Sequence, residues 1–129
     1  MMPIRIVQLG SSRKRGEGLR MGTVRRPPRG VRKARYAKDD WFDVWLPNLA
    51  PSAELMRRTA IYEDGRGWAA FARSYEAELK TPEAPHLLDA LVALSHQTNF
   101  SVGCYCGDER HCHRSILRRV LRKRGAVVA

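Results

Sequence analysis

The sequence predicts a single compact α/β domain, a small and mainly parallel sheet flanked by helices. Three observations point there. Short β-patterned stretches lie near both ends, at Pro3 to Leu9 and Asn99 to Tyr105. Helical apolar spacing fills the interval between them, and an amphipathic helix with a basic outer face follows the second stretch. At 129 residues the whole chain, 1–129, reads as one domain. Folding at that length buries roughly two thirds of the surface that the unfolded chain exposes, enough for a real core.

Each element has its own warrant. Ile4, Ile6 and Val7 carry a first strand over Pro3 to Leu9. Gly10 to Gly18 is polar and holds a Ser-Ser-Arg-Lys-Arg run, so residues 10–20 read as a flexible basic loop. A second extended segment is expected over Gly22 to Arg26, because Pro27-Pro28 forbids helix there. Residues 31–40 read as an exposed connection or a short turn. Trp41, Phe42, Val44, Trp45 and Leu46 form a cluster closed by Pro47, and their spacing favours core or helix docking over a base-stacking platform.

Ser52 caps a short helix running through Met56. Trp68, Phe71, Ala72, Tyr75 and Leu79 recur at i, i+3, i+4, i+7 and i+11, an amphipathic helix with its stripe in the core. Thr81-Pro82 supplies an N-cap and first-turn pair for the next helix. Its body, Leu87 to Leu94, is apolar nearly all round and should be well buried. Asn99 to Tyr105 then reads as a short central strand. A last helix runs from about Arg114 to Arg124, with Ile116, Leu117, Val120 and Leu121 on one face, and Gly125 ends it.

Composition narrows the function classes. With 43% hydrophobic and 29% charged residues, disorder throughout is excluded. No apolar run is longer than that of Ala90 to Leu94, far too short for a bilayer, so no membrane partner is expected. Pro3 and Arg5 interrupt any secretory signal at once. Three cysteines, Cys104, Cys106 and Cys112, fall within nine residues. An odd, local set is a poor disulfide framework and a better thiol cluster, which favours a reducing cytoplasm. The net charge of +11 is unevenly spread: residues 1–38 hold twelve bases and one acid, 39–109 five bases and twelve acids, and 110–129 seven bases alone. Two basic ends around an acidic middle suit either a solvated face or a phosphate-bearing polyanion.

The chemistry concentrates at Gly103 to Ser115, where a strand ends and a helix begins. In open α/β sheets ligands bind outside the carboxyl ends of the strands, and a helix start offers unpaired N–H groups to an anion. Arg114 would supply a bidentate fork there, with Ser115 beside it. The helix field is expected to lower the pKa of Cys112. Three readings compete. Cys104, Cys106 and Cys112 with His111 or His113 offer four soft ligands to zinc, although the usual paired Cys-x2-Cys knuckles are missing. Cys104 to Arg110 spells Cys-x-x-Gly-x-x-Arg, the spacing of the phosphate loop in cysteine-dependent phosphatases. Asp108 and Glu109 inside it would repel a dianion, and Gly103 stands where the usual preceding His would be. In the third, the same residues only pack. Outside this segment, Arg25-Arg26-Pro27-Pro28-Arg29-Gly30 is stiffened by its prolines, so its arginines lose less freedom on binding an anion.

Three stretches together resemble the domain-of-unknown-function 488 family, in its short, single-domain branch. They are Val24 to Gly30 with its arginine-proline-arginine-glycine run, Trp41 through Trp45-Leu46-Pro47 to Ala50-Pro51-Ser52, and Cys104-Tyr105-Cys106 followed by Cys112-His113-Arg114-Ser115. The likeness spans nearly the whole chain and implies a compact α/β fold. It carries over Arg26, Arg29, Cys104, Cys112, His113 and Arg114, while Cys106 falls where other members often carry an acidic or different residue. It implies no catalytic mechanism and no substrate.

The sequence therefore places an anion- or phosphate-accepting pocket at strand-end Cys104 and helix-start Cys112-His113-Arg114. Arg26, Arg29, Arg114 and Ser115 would bind the anion, a nucleotide or a nucleic-acid backbone. For an enzyme, Cys104 or Cys112 is the expected nucleophile and His113 the acid/base. A non-catalytic nucleic-acid-binding module using the basic ends is one alternative. A zinc-stabilised module built on Cys104, Cys106, Cys112 and His113 is the other; no cofactor is favoured, and zinc is the one these ligands would take.

Overall fold

A computed structural model describes residues 3–58, 65–107 and 112–129. Four strands, β1 (Ile4–Gln8), β2 (Leu19–Gly22), β3 (Val44–Trp45) and β4 (Phe100–Cys104), form one all-parallel sheet in the order β1-β4-β2-β3. The helices are α1 (Ala53–Arg57), α2 (Gly65–Glu78), α3 (Glu83–Ser95) and α4 (His113–Lys123), with short 3-10 turns at Lys33–Arg35 and Pro47–Leu49. The small α/β architecture expected from the sequence is the one observed.

The sheet's two faces differ in chemistry. In register, Ile4 pairs with Phe100, while Ile6 and Met21 flank Val102. Ile4, Met21, Phe100 and Val102 pack in one buried cluster with Leu55, Phe71, Tyr75, Leu88, Leu91, Leu117 and Leu121, so all four helices contribute to this core. The opposite face carries a buried polar group beside a smaller apolar cluster of Leu9, Val24 and Phe42. Arg5 and Arg20 flank Ser101 in register, and the fully buried Arg20 pairs with buried Glu17. Arg20 Nε donates to Glu17 Oε2 at 2.8 Å and Nη2 to Oε1 at 3.0 Å. Its Nη1 donates to the carbonyls of Ser11 and Asp40, each at 2.7 Å. Ser101 Oγ completes the carboxylate's shell at 2.7 Å.

This pair ties the segment after β1 to the sheet. The Gly16 carbonyl accepts from Asn99 Nδ2. Gly18 lies at φ +79°, with the space its Cβ would fill taken by the Asn99 carbonyl 2.1 Å away. After α4 and Gly125 the chain returns to β1, where Ile4 N donates to Val127 O at 2.7 Å and Ala129 N to Ile4 O at 2.8 Å. The outer edge of β1 is thereby paired.

Several expectations are corrected. The second strand is Leu19–Gly22 rather than Gly22 to Arg26; Arg20 disguises it, being an arginine taken inside by a carboxylate. Beyond Gly22 only Thr23 N extends the pairing, donating to Gly103 O at 2.9 Å. Val44–Trp45 is a strand that the aromatic cluster concealed. Within that cluster Phe42 is core, filling the space over Gly22, where a Cβ would meet its ring at 2.4 Å. Trp45 is instead 43% exposed and donates its indole N–H to Val24 O. Thr81 does not cap α3; its hydroxyl donates to Glu78 O, closing the end of α2, and α3 starts at Glu83. Nor is α3 buried all round, because Leu88 and Leu91 face the core while Leu94 is 40% exposed.

Glu17 sets an expected outcome. Burial opposes its charge, but hydrogen bonds from Arg20, Ser101 and the Lys14 amide win and lower its pKa from 4.5 to about 2. A carboxyl depressed in the folded state contributes stability above its unfolded value and loses it as pH falls from there through the folded value. Glu17→Gln should therefore cost about 3–5 kcal/mol at neutral pH, since it strands a buried guanidinium. In urea titrations the gap between the native protein and the variant should narrow as pH drops below 4.5 toward 2. A gap independent of pH would exclude this account.

Candidate functional site: a thiol cluster at the carboxyl end of the sheet

The carboxyl ends of β1, β4 and β2 point the same way because the sheet is parallel, and the chain segments that leave them enclose a cleft of about 960 Å³. Its walls include Gln8 at the end of β1 and Leu9 after it, Val24 to Arg29 after β2, Trp41, Ala53, Met56 and Arg57, and Cys104, Tyr105, Cys106 and His113. Trp41 and Tyr105 meet edge to face, with centroids 5.9 Å apart. Tyr105 is anchored through its hydroxyl, which donates to Arg26 O at 2.8 Å.

Three sulfurs converge here, two of them on the cleft wall. Cys104 ends β4, Cys112 is the N-cap residue of α4, and Cys106 lies two residues past the strand; their Sγ atoms all lie within 4.8 Å of one another. The three are therefore close enough to bind a metal ion. Cys104 and Cys112 are buried, and Cys106 is exposed. Electrostatics separates them further. Hydrogen bonds from the Cys104 and Cys112 thiols favour the thiolate form of Cys106, with the Arg114 charge nearby, and outweigh its burial, so its pKa is lowered. Donation to Cys106 and Cys112, together with burial, raises that of Cys104. Cys112 accepts from Cys104, which favours its thiolate, but its donation to Cys106 and its burial outweigh that and raise it. The expected lowering of Cys112 by the helix field is thus reversed.

His113 opens α4 and is buried against Tyr75, edge to face at 5.5 Å. Burial lowers its pKa to about 4, so it is neutral at pH 7. Its Nε2 lies 2.7 Å from the Thr23 carbonyl. A carbonyl only accepts, so Nε2 carries the proton and Nδ1 keeps a bare lone pair. That Nδ1 is 3.7 Å from Cys112 Sγ. Arg114 is also buried, and its Nη2 donates to Cys106 O at 2.6 Å. Its Nε has no hydrogen-bond partner among the described residues.

The residues picked out from sequence thus fall into two groups. Cys104, Cys106, His113, Arg26 and Arg29 line the cleft. Cys112 and Arg114 lie behind that wall, and the Ser115 hydroxyl donates to Cys112 O at 3.0 Å. His111 and the Arg110 end of the phosphatase-like spacing lie outside the described residues. Sequence reasoning missed Thr23, whose carbonyl fixes the histidine tautomer, and the Trp41–Tyr105 wall. Thr23 carried no signal, because its role depends on a backbone carbonyl.

Fold and site define a small parallel α/β domain with a thiol cluster at the carboxyl end of its central strand. The chain belongs to the DUF488 family: the family model for the Active DUF488-N3 subclade, DUF488-N3a, matches residues 4–125. No curated protein and no solved structure matches it.

Cys106 should alkylate first. With iodoacetamide at neutral pH, peptide mapping should find Cys106 labelled at least about tenfold faster than Cys104 or Cys112. Its rate should hold well below the ordinary thiol range, where an unperturbed thiol slows by about tenfold per pH unit. Fast labelling of Cys112 instead would overturn the assignment of the charges.

Proposed function

We propose that the cleft accepts a phosphate-bearing ligand, a nucleotide or a nucleic-acid backbone, and that Cys106 is the sulfur that reacts there. The observation that carries this reading is an exposed sulfur, Cys106, in a cleft that also bears Arg26 and Arg29, its pKa lowered by hydrogen bonds from Cys104 and Cys112. Both arginines are exposed, and the prolines between them restrain the backbone that presents them. Trp41 and Tyr105 offer aromatic surface for a base beside these charges. The buried Arg114 Nε adds an unspent donor behind the sulfurs. In this reading Cys104 and Cys112 hold the thiolate by hydrogen bonding, and His113 serves Cys112. A family model described as active accords with a reactive group in the cleft. The setting is a reducing cytoplasm, where the thiols stay free; among the described residues no helix is long and apolar enough to cross a membrane.

One further observation favours a second reading. Three sulfurs within 4.8 Å are soft donors at about the spacing zinc takes. Stoichiometric zinc in the purified protein, with all three thiols masked until denaturation, would replace the free-thiolate reading with this one.

Arg26→Ala with Arg29→Ala tests the ligand. Titration of the native protein with AMP and with a single-stranded oligonucleotide, followed by tryptophan fluorescence, should give salt-sensitive binding. The double variant should weaken it by about tenfold or more and reduce the oligonucleotide's salt slope by one to two, roughly one for each phosphate no longer neutralised. Bound AMP should also protect Cys106 from iodoacetamide. Unchanged affinity in the double variant would remove these arginines from the site.

A further inference from the structure

The chemistry of three sulfurs in one cluster goes further than ligand binding. We propose that the cluster is a two-electron redox couple that reduces a small hydroperoxide, with Cys106 as the attacking sulfur and Cys112 as the resolving one. The assignment follows from access and from position. Cys106 alone of the three is exposed. It sits just past the end of β4, outside the strand pairing that fixes Cys104. Both partners are within 4.8 Å of it, but only Cys112 has a base at hand among the described residues. His113 Nδ1 presents its lone pair 3.7 Å from Cys112 Sγ, held in that tautomer by the Thr23 carbonyl on Nε2.

The steps balance. The Cys106 thiolate attacks the terminal, hydroxyl-bearing oxygen of the hydroperoxide; an S–O bond forms, the O–O bond breaks, and the alkoxide (hydroxide for hydrogen peroxide) leaves, taking a proton from solvent to become the alcohol or water. Cys106 is now a sulfenic acid. Cys112 passes its proton to His113 Nδ1, and its sulfur attacks that of Cys106. The S–S bond forms, the S–O bond breaks, and the departing hydroxide takes the proton from His113 to become water. The two sulfurs lose two electrons and the peroxide gains them. A low-molecular-weight thiol returns the pair to the reduced state by exchange. Nothing in this sequence needs a ligand held by Arg26 or Arg29, so it stands or falls apart from the phosphate reading.

The experiment uses the full chain as purified, freed of reductant and given one equivalent of hydrogen peroxide. Peptide mapping should find a Cys106–Cys112 bridge. Cys112→Ser should instead accumulate a sulfenic acid at Cys106, trapped as its dimedone adduct, and Cys104→Ser should still bridge. His113→Gln keeps a donor for the Thr23 carbonyl but offers no basic nitrogen. It should slow bridge formation by about a hundredfold while leaving the first oxidation unchanged. A bridge through Cys104 in the unaltered chain, or oxidation spread equally over the three sulfurs, overturns the proposal. That result comes from the native protein and does not depend on any variant folding.

Discussion

A buried carboxylate–guanidinium pair underlies the geometry of everything above it. Arg20 stands in β2 on the face opposite the helices, and without Glu17 it would be an unpaired charge in the interior, costing several kcal/mol. With Glu17 its donors are spent on the carboxylate and on the carbonyls of Ser11 and Asp40. Its backbone N–H meanwhile donates to Asp43 Oδ2, and the Asp43 N–H donates back to the Arg20 carbonyl. Two long segments without helix crossovers, the one after β1 and the one before β3, are thereby fastened to one strand. Trp41 and Leu9, both walls of the cleft, sit on those segments.

The same strand reaches the chemistry one residue past its end. Thr23, the first residue after β2, bonds across to Gly103 and presents its carbonyl to His113. The position of that carbonyl depends on the register of β2 against β4. The register in turn is held by Arg20 opposite Ser101, which shares the Glu17 carboxylate. A distant ion pair therefore sets which nitrogen of His113 is free to face Cys112. Cys112 also shows which effect wins at a helix start. The helix field favours a thiolate there, by an amount that falls off within the first turn. Burial and the demand of a neighbouring sulfur for a donor oppose it, and together they keep the Cys112 proton in place and move the charge to Cys106.

How much of this was legible in the sequence depends on how local the cause is. The Gly103 to Ser115 segment stood out because its cysteines are close together in the chain and because a strand-to-helix junction has a known direction. The helices followed from apolar spacing, and Ser52 does cap α1 by accepting from Leu55 N. Nonlocal causes were hidden. Arg20 reads as a loop residue until Glu17, Ser11 and Asp40 surround it. The choice among the sulfurs was hidden for a related reason. If β4 continued, Cys104 and Cys106 would share a face of the sheet; the strand stops at Cys104, and the next two residues turn outward.

Net charge needs the same separation of local from nonlocal. The twelve bases among residues 1–38 suggest one cationic surface, but the structure divides them. Arg20 is interior, Arg13 is engaged by Asp40 and Asp43, and Arg35 by Asp39. Arg25 is turned to the carbonyls of Ala50 and Pro51, bracing the cleft wall. Arg26 and Arg29 line the cleft and have no ion-pair partner among the described residues. Several of the arginines that dominate the sum therefore build the scaffold and are already neutralised or satisfied. An anion entering at the carboxyl end of the sheet would meet a charge set by those two side chains together with Arg25 and Arg57, with a deprotonated Cys106 opposing it. That opposition favours a ligand whose phosphate stays among the arginines while another part of the molecule approaches the sulfur, so that the cleft separates binding from reaction along its length.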